Sequence, residues 1–149
     1  MMVRRAGMDD LAGLAALRRR WLEEDGLPPG TDPGFEQRFT DWLTAFWDTR
    51  VFFVASVGDE LIGMMNLALF DRMPAPGRPS ARWGYLGNAF VPAEHRAAGV
   101  GRAILDELLA HARAEGLVRV VLAPSERSVE FYRRAGFGPA DMLMAQVLR

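Results

Sequence analysis

Between Arg82 and Ala123 the chain reads strand, loop, helix, strand, and no other feature restricts the fold so tightly. Arg82 to Val91 is β-prone, although Gly84, Gly87 and Asn88 interrupt it. Ala103, Ile104, Leu105, Leu108, Leu109 and Ala112 then recur at helical spacing up to Gly116. The next stretch, Leu117-Val118-Arg119-Val120-Val121-Leu122-Ala123, is almost wholly apolar, which suits a strand covered on both faces. Two strands joined through a helix pair in parallel through a right-handed crossover. The fold class is therefore α/β, with a mixed sheet and flanking helices.

The loop inside this unit carries chemistry. Gly99 and Gly101 have no Cβ, so the backbone there can bend toward an anion and admit a close ligand. A helix starts immediately afterwards, and its first N–H groups lack intrahelical acceptors and carry partial positive charge. Arg96 and Arg102 add formal charge. Main-chain donors at a helix N-terminus are suited to pyrophosphate.

The rest of the chain supplies partners for this unit. Val3 to Ala6 reads as a first strand, with Asp9 or Asp10 capping a helix marked by Leu11, Leu14, Leu17, Trp21 and Leu22. Arg18-Arg19-Arg20 falls largely on its wet face. Asp32-Pro33 predicts a second start in the N-cap then first-turn order, with Phe35, Phe39, Trp42, Leu43 and Phe46 as the apolar stripe. Most of that stripe is core material, while Trp21, Trp42 and Trp47 are also suited to an acceptor pocket. Val51 to Val57, a Gly58-Asp59 turn, and Glu60 to Leu69 predict a hairpin. Asp71 to Ser80 holds three prolines and cannot continue a sheet. Pro124-Ser125 leads into a last helix, Ser128 to Arg134, closed at Gly136, and Met142 to Leu148 predicts one more strand.

Composition excludes several functions. A chain of 149 residues, 50% hydrophobic, predicts a single domain over 1–149. Its net charge of −1 and pI near 6.1 leave no basic footprint, so nucleic acid is not an expected partner. With no cysteine and two histidines, neither a thiolate nucleophile nor a metal site is expected. No apolar run spans a bilayer and no signal core follows the basic N-terminus; a cytoplasmic protein without a membrane partner is expected.

Two motifs set far apart identify a relationship. Val91 and Arg96-Ala97-Ala98-Gly99-Val100-Gly101 open a helix after a strand, and Ser125 with Phe131-Tyr132-Arg133-Arg134-Ala135-Gly136-Phe137 follows at a distance. Together they make the chain resemble the GNAT family of N-acetyltransferases along essentially its whole length. The resemblance implies a largely antiparallel mixed sheet of about six or seven strands in the order β-α-α-β-β-β-α-β-α-β, with a β-bulge in the fourth strand near Gly87 to Ala89. It implies acetyl coenzyme A as donor: the arm along Ala89, Phe90 and Val91, the pyrophosphate on Ala97, Ala98, Gly99, Val100, Gly101 and Arg102, and further contacts from Arg96 and from Ser125, which stands where some members have asparagine and can still make one hydrogen bond. Tyr132 matches the tyrosine that protonates the leaving thiolate. A small-molecule or peptide amine is the implied acceptor, and a homodimer using the edge of the final strand is a common arrangement.

One departure concerns the proton of the acceptor amine. Family members often carry a glutamate base on the fifth strand, where this chain has Arg119-Val120-Val121-Leu122. An amine of pKa about 10.4 is almost fully protonated at neutral pH, so something must accept its proton. Glu24, Asp25, Glu126, His95 and a water held near Asn88 are the candidates. With no serine elbow or cysteine, the expected reaction is direct attack of the amine on the thioester, its oxygen polarised by a main-chain N–H near Ala89 or Phe90. The missing base also admits a non-catalytic acyl coenzyme A sensor on the same fold. A dinucleotide module fits less well, because Gly99-Val100-Gly101-Arg102-Ala103-Ile104 lacks the third glycine.

Overall fold

The computed structural model describes residues 1–149. Five strands form one sheet in the order β1-β2-β3-β4-β5: β1 (Met2–Arg5), β2 (Arg50–Val57), β3 (Glu60–Asp71), β4 (Arg82–Phe90) and β5 (Val120–Val121). Neighbours from β1 to β4 are antiparallel, and β5 joins β4 in parallel. The four α-helices are α1 (Leu11–Glu24), α2 (Phe35–Phe46), α3 (Val100–Ala114) and α4 (Val129–Arg134). The crossover from β4 through α3 to β5 is the one that the glycine loop and the apolar strand predict.

Alternation along the central strands sends side chains to two different cores. On one face Val51, Phe53, Met65, Leu67 and Leu86 pack with Ile104, Leu105 and Leu108 of α3 and with Tyr132. On the other, Phe52, Val54, Met64 and Phe90 pack with Leu14 and Leu17 of α1 and Leu43 of α2. The α3 face is closely fitted: a Cβ on Gly63 would stand 2.8 Å from Ile104 Cδ1. The β2–β3 hairpin turns at Gly58 with φ 57°, and the proline-rich 71–80 segment is exposed, closed at its base by Arg72 N–H donating to Ala81 O at 2.9 Å.

The structure corrects three expectations. The sheet has five strands rather than six or seven, and the final strand of the expected order is absent. Residues 142–148 hold no regular structure, and Met144, Val147 and Leu148 are almost fully exposed. An apolar run makes a strand only where an edge offers ladder partners, and β5 offers two residues. The expected strand Leu117 to Ala123 shrinks to Val120–Val121: Val118 N–H still donates to Arg82 O at 2.9 Å, but no pairing with β4 continues past Val121. The second helix begins at Phe35 behind Gly34, not at Asp32-Pro33; Asp32 takes φ 54° and its carboxylate accepts two bonds from Arg38, at 2.8 and 2.6 Å.

Candidate active site

The site begins where two paired strands part. Gly84 and Tyr85 of β4 lie opposite Val120 and Val121, and there the ladder ends. Leu86 to Phe90 run on with no strand beside them on that side. The divergence has a local cause. Met64 pairs with Phe90 and Asn66 with Gly87, so Met65 faces the two residues Asn88 and Ala89. One extra residue on β4 is a bulge, which bends the strand and increases its twist. Asn88 takes φ 52° there, a left-handed conformation that asparagine tolerates better than most residues. The bulge falls near Gly87 to Ala89, where the family resemblance implies it.

Next comes the loop into α3. Arg96 donates from Nε to Val91 O at 2.9 Å and from Nη2 to Glu24 at 2.5 Å, while Glu24 also accepts the Ala93 N–H at 3.0 Å. These bonds tie the loop to the end of α1. Ala97 has φ 61° and Gly99, at the N-cap of α3, has φ 81°. The first helical bond is Ala103 N–H to Gly99 O at 3.0 Å. Consequently the N–H groups of Ala97, Ala98, Gly99, Val100, Gly101 and Arg102 donate to no acceptor in the chain.

Consecutive free donors at a helix N-terminus fit a pyrophosphate by charge and by geometry. The free donors of this loop belong mainly to the backbone. Arg102 is bonded to Asp106 at 2.8 Å and Arg96 to Glu24, so both charges are already partly compensated.

Tyr132 is buried, and its ring meets Phe131 and Phe137 edge-on at 5.0 and 5.7 Å between centroids. Its hydroxyl has no hydrogen-bond partner within the protein, and burial pushes its pKa above the ordinary tyrosine value. It therefore carries its proton at neutral pH. Phe131 turns the other way, toward Gly101. The Ser125 hydroxyl bonds to Ser128 Oγ at 3.0 Å within the short turn before α4. Among the proposed bases, Glu24 is taken up by Arg96 and Ala93, Asp25 and Glu126 are exposed, and His95 lies 4.0 Å from Glu94, itself paired with Arg20. β5 carries no carboxylate.

A cavity of about 580 Å³ opens on the outer side of β5 and is lined by Leu109, Val121, Tyr132, Phe137 and Met142 among others. None of the loop donors from Ala97 to Arg102 lines it, so it is distinct from the anion cradle. No cluster of acidic or histidine side chains is arranged to hold a metal ion, and no helix is long and apolar enough to cross a membrane.

A further cluster escapes the sequence reading. On the face that carries Phe52 and Val54, Arg50 donates from Nη1 to Asn66 Oδ1 at 3.0 Å. Asn66 Nδ2 donates in turn to Gly87 O at 3.1 Å and to Asn88 Oδ1 at 2.8 Å, so it is bonded across the bulge. The Arg50 guanidinium lies 4.9 Å from the Trp42 ring centroid. Burial pushes its pKa down with no carboxylate to offset the effect, although an arginine stays charged. A sequence signal exists: Asn66 is the only polar side chain in the run Leu61 to Leu69.

The model of the acetyltransferase (GNAT) family matches residues 14–137, and the chain belongs to that family. A glucosamine 6-phosphate N-acetyltransferase of Trypanosoma brucei brucei is 30% identical over 89 residues, 60% of this chain and 58% of that protein. The chain thus spans little more than half of that relative. A glucosamine 6-phosphate N-acetyltransferase 1 of Oryza sativa subsp. japonica is 26% identical over 117 residues, 78% of this chain and 70% of the other. Among solved structures, a predicted acetyltransferase with acetyl-CoA from Clostridium acetobutylicum shares the fold with a TM-score of 0.77 at 23% identity, over 99% of this chain and 96% of that one.

Proposed function

We propose that residues 1–149 act as one domain that transfers an acetyl group from acetyl coenzyme A to the amine of a small acceptor. The observation that carries this reading is the run of free N–H groups from Ala97 to Arg102 beside the parting of β4 and β5. Acetyl coenzyme A supplies the activated carbonyl. In this reading the six amides hold its pyrophosphate, with Arg96 keeping the loop in place and Ser125 contributing a hydroxyl. The unpaired edge of β4 through Ala89, Phe90 and Val91 holds the arm. A main-chain N–H near Ala89 or Phe90 polarises the carbonyl oxygen, and the Tyr132 hydroxyl gives its proton to the departing thiolate. Because β5 offers no carboxylate, the amine releases its proton to water held at Asn88. The names of the two relatives make glucosamine 6-phosphate the first acceptor to try.

Isothermal titration of the full chain with acetyl coenzyme A tests the donor half, and absence of binding rejects it. Release of free thiol that depends on the added amine tests the transfer. The absence of a carboxylate on β5 also favours a second reading, an acyl coenzyme A sensor without turnover. Binding without thiol release across an amine panel would select it.

A further inference from the structure

Most arginines near the site already have a carboxylate: Arg20 has Glu94, Arg96 has Glu24 and Arg102 has Asp106. Arg50 has none, although it is half-buried and burial of an unpaired cation is costly. One of its N–H groups bonds to Asn66 and its plane faces Trp42, so the head is held while other donors stay free. A guanidinium fixed in this way is prepared for an anion, because its fork matches two oxygens and less side-chain freedom remains to be lost.

The register shows where this cation stands. Arg50 lies opposite Ala68, which lies opposite Tyr85, and the next row on the same face is Phe52, Asn66 and Gly87. Arg50 and Tyr85 are therefore two strand spacings apart, roughly 10 Å between backbones. The residue between them in the sheet is Ala68, whose side chain is a methyl, and the bulge is one row away. Asn66 is bonded both to Arg50 and across the bulge. A small molecule whose negative group sits on Arg50 can thus present an amine where β4 parts from β5.

We propose that Arg50, held by Asn66 and Trp42, is the anion anchor of the acceptor site, so that the acceptor is an amine bearing a phosphate or a carboxylate. The inference rests on the transfer reading given above. It makes Arg50 a specificity-determining residue.

The test compares glucosamine 6-phosphate, the 6-carboxylate analogue 2-amino-2-deoxyglucuronic acid, and glucosamine, with thiol release as readout. Wild-type protein should favour at least one anionic acceptor over glucosamine in kcat/KM, and the better of the two identifies the anion. Equal turnover of all three overturns the inference. In Arg50→Met, the ratio of kcat/KM for the better anionic acceptor to that for glucosamine should fall about 10- to 100-fold, chiefly through KM. Arg50→Lys should recover part of it, since an ammonium keeps the charge but not the fork. An unchanged ratio in both variants overturns the inference.

Calorimetry separates this outcome from failure of the transfer reading. If acetyl coenzyme A does not bind, the transfer reading falls, and titration of the full chain with glucosamine 6-phosphate alone decides the role of Arg50. Binding weakened at least about tenfold in Arg50→Met supports the anchor, and equal or absent binding in wild type and variant rejects it. Thermal melting identifies a variant that has not folded, in which case the wild-type preference among the three acceptors decides.

Discussion

Two regions meet at the bulge of β4, and they offer polar groups of different kinds. On the α3 side the groups are main-chain amides from Ala97 to Arg102, freed by a left-handed Gly99 and the start of a helix. On the opposite face they are the side chains of Arg50, Asn66 and Asn88, on three different strands. Backbone donors change little when side chains are substituted, so the first region is suited to a ligand common to a whole family. Side-chain recognition can be altered one residue at a time, which suits an acceptor that differs between members. The division predicts that substitutions on the two sides separate into donor and acceptor effects.

The largest expected effect tests a residue that belongs to neither region. Tyr132→Phe should lower kcat about 100-fold if the hydroxyl acts as an acid, read as thiol release at saturating substrates. An unchanged kcat would leave Tyr132 as a packing residue and the two binding regions as the whole site. The same variant has a pH signature. Burial raises the folded-state pKa of Tyr132, so its contribution to stability is complete below the ordinary tyrosine value of about 10 and is lost as pH rises through the folded value. Tyr132→Phe should therefore show less alkaline loss of stability in denaturant melts than wild type.

Asn66→Ala should come next, with a loss of about 1–3 kcal/mol of stability, because Gly87 O and Asn88 lose a donor and Arg50 loses its acceptor. The measurement that sharpens the comparison is the acceptor KM: a rise larger than the rise in acetyl coenzyme A Kd places Asn66 on the acceptor side. Gly99→Val forces a β-branched residue into φ 81°, at a cost of roughly 1–3 kcal/mol. Calorimetry should show acetyl coenzyme A binding weakened about tenfold or more. If acceptor KM suffers instead, the division is wrong. Glu24→Gln should be the mildest change. The pair with Arg96 is partly exposed, so its loss is worth about 0.2–1 kcal/mol, and the Kd for acetyl coenzyme A should rise less than about fivefold.

The unequal legibility of the two regions follows from their chemistry. Gly99 before an apolar helix pattern is a local signal, because positive φ and unpaired N–H groups arise within a few residues of chain. The bulge was legible through the family resemblance, and Gly87 and Asn88 in a β-prone run suit it. Arg50 gave no such signal: it is one of many arginines, and only its register opposite Ala68 and Tyr85 marks it out. Asn66 was legible in principle, as a lone polar residue in a strand buried on both faces. Residues 142–148 misled in the other direction. They form a largely apolar run of strand length, and composition does not supply the neighbouring edge that a strand needs.

By itself, then, the sequence determined what depends on neighbours along the chain: the crossover unit, the hairpin at Gly58, the glycine loop, and the family, through motifs of short range. Only the tertiary structure decided how many strands the sheet contains, that Arg96 and Arg102 are already paired with Glu24 and Asp106, and that Arg50 reaches the bulge through Asn66. Those outcomes depend on which strands lie side by side and where they part. That is a balance of packing and hydrogen bonds between distant segments, and no short stretch of sequence contains it.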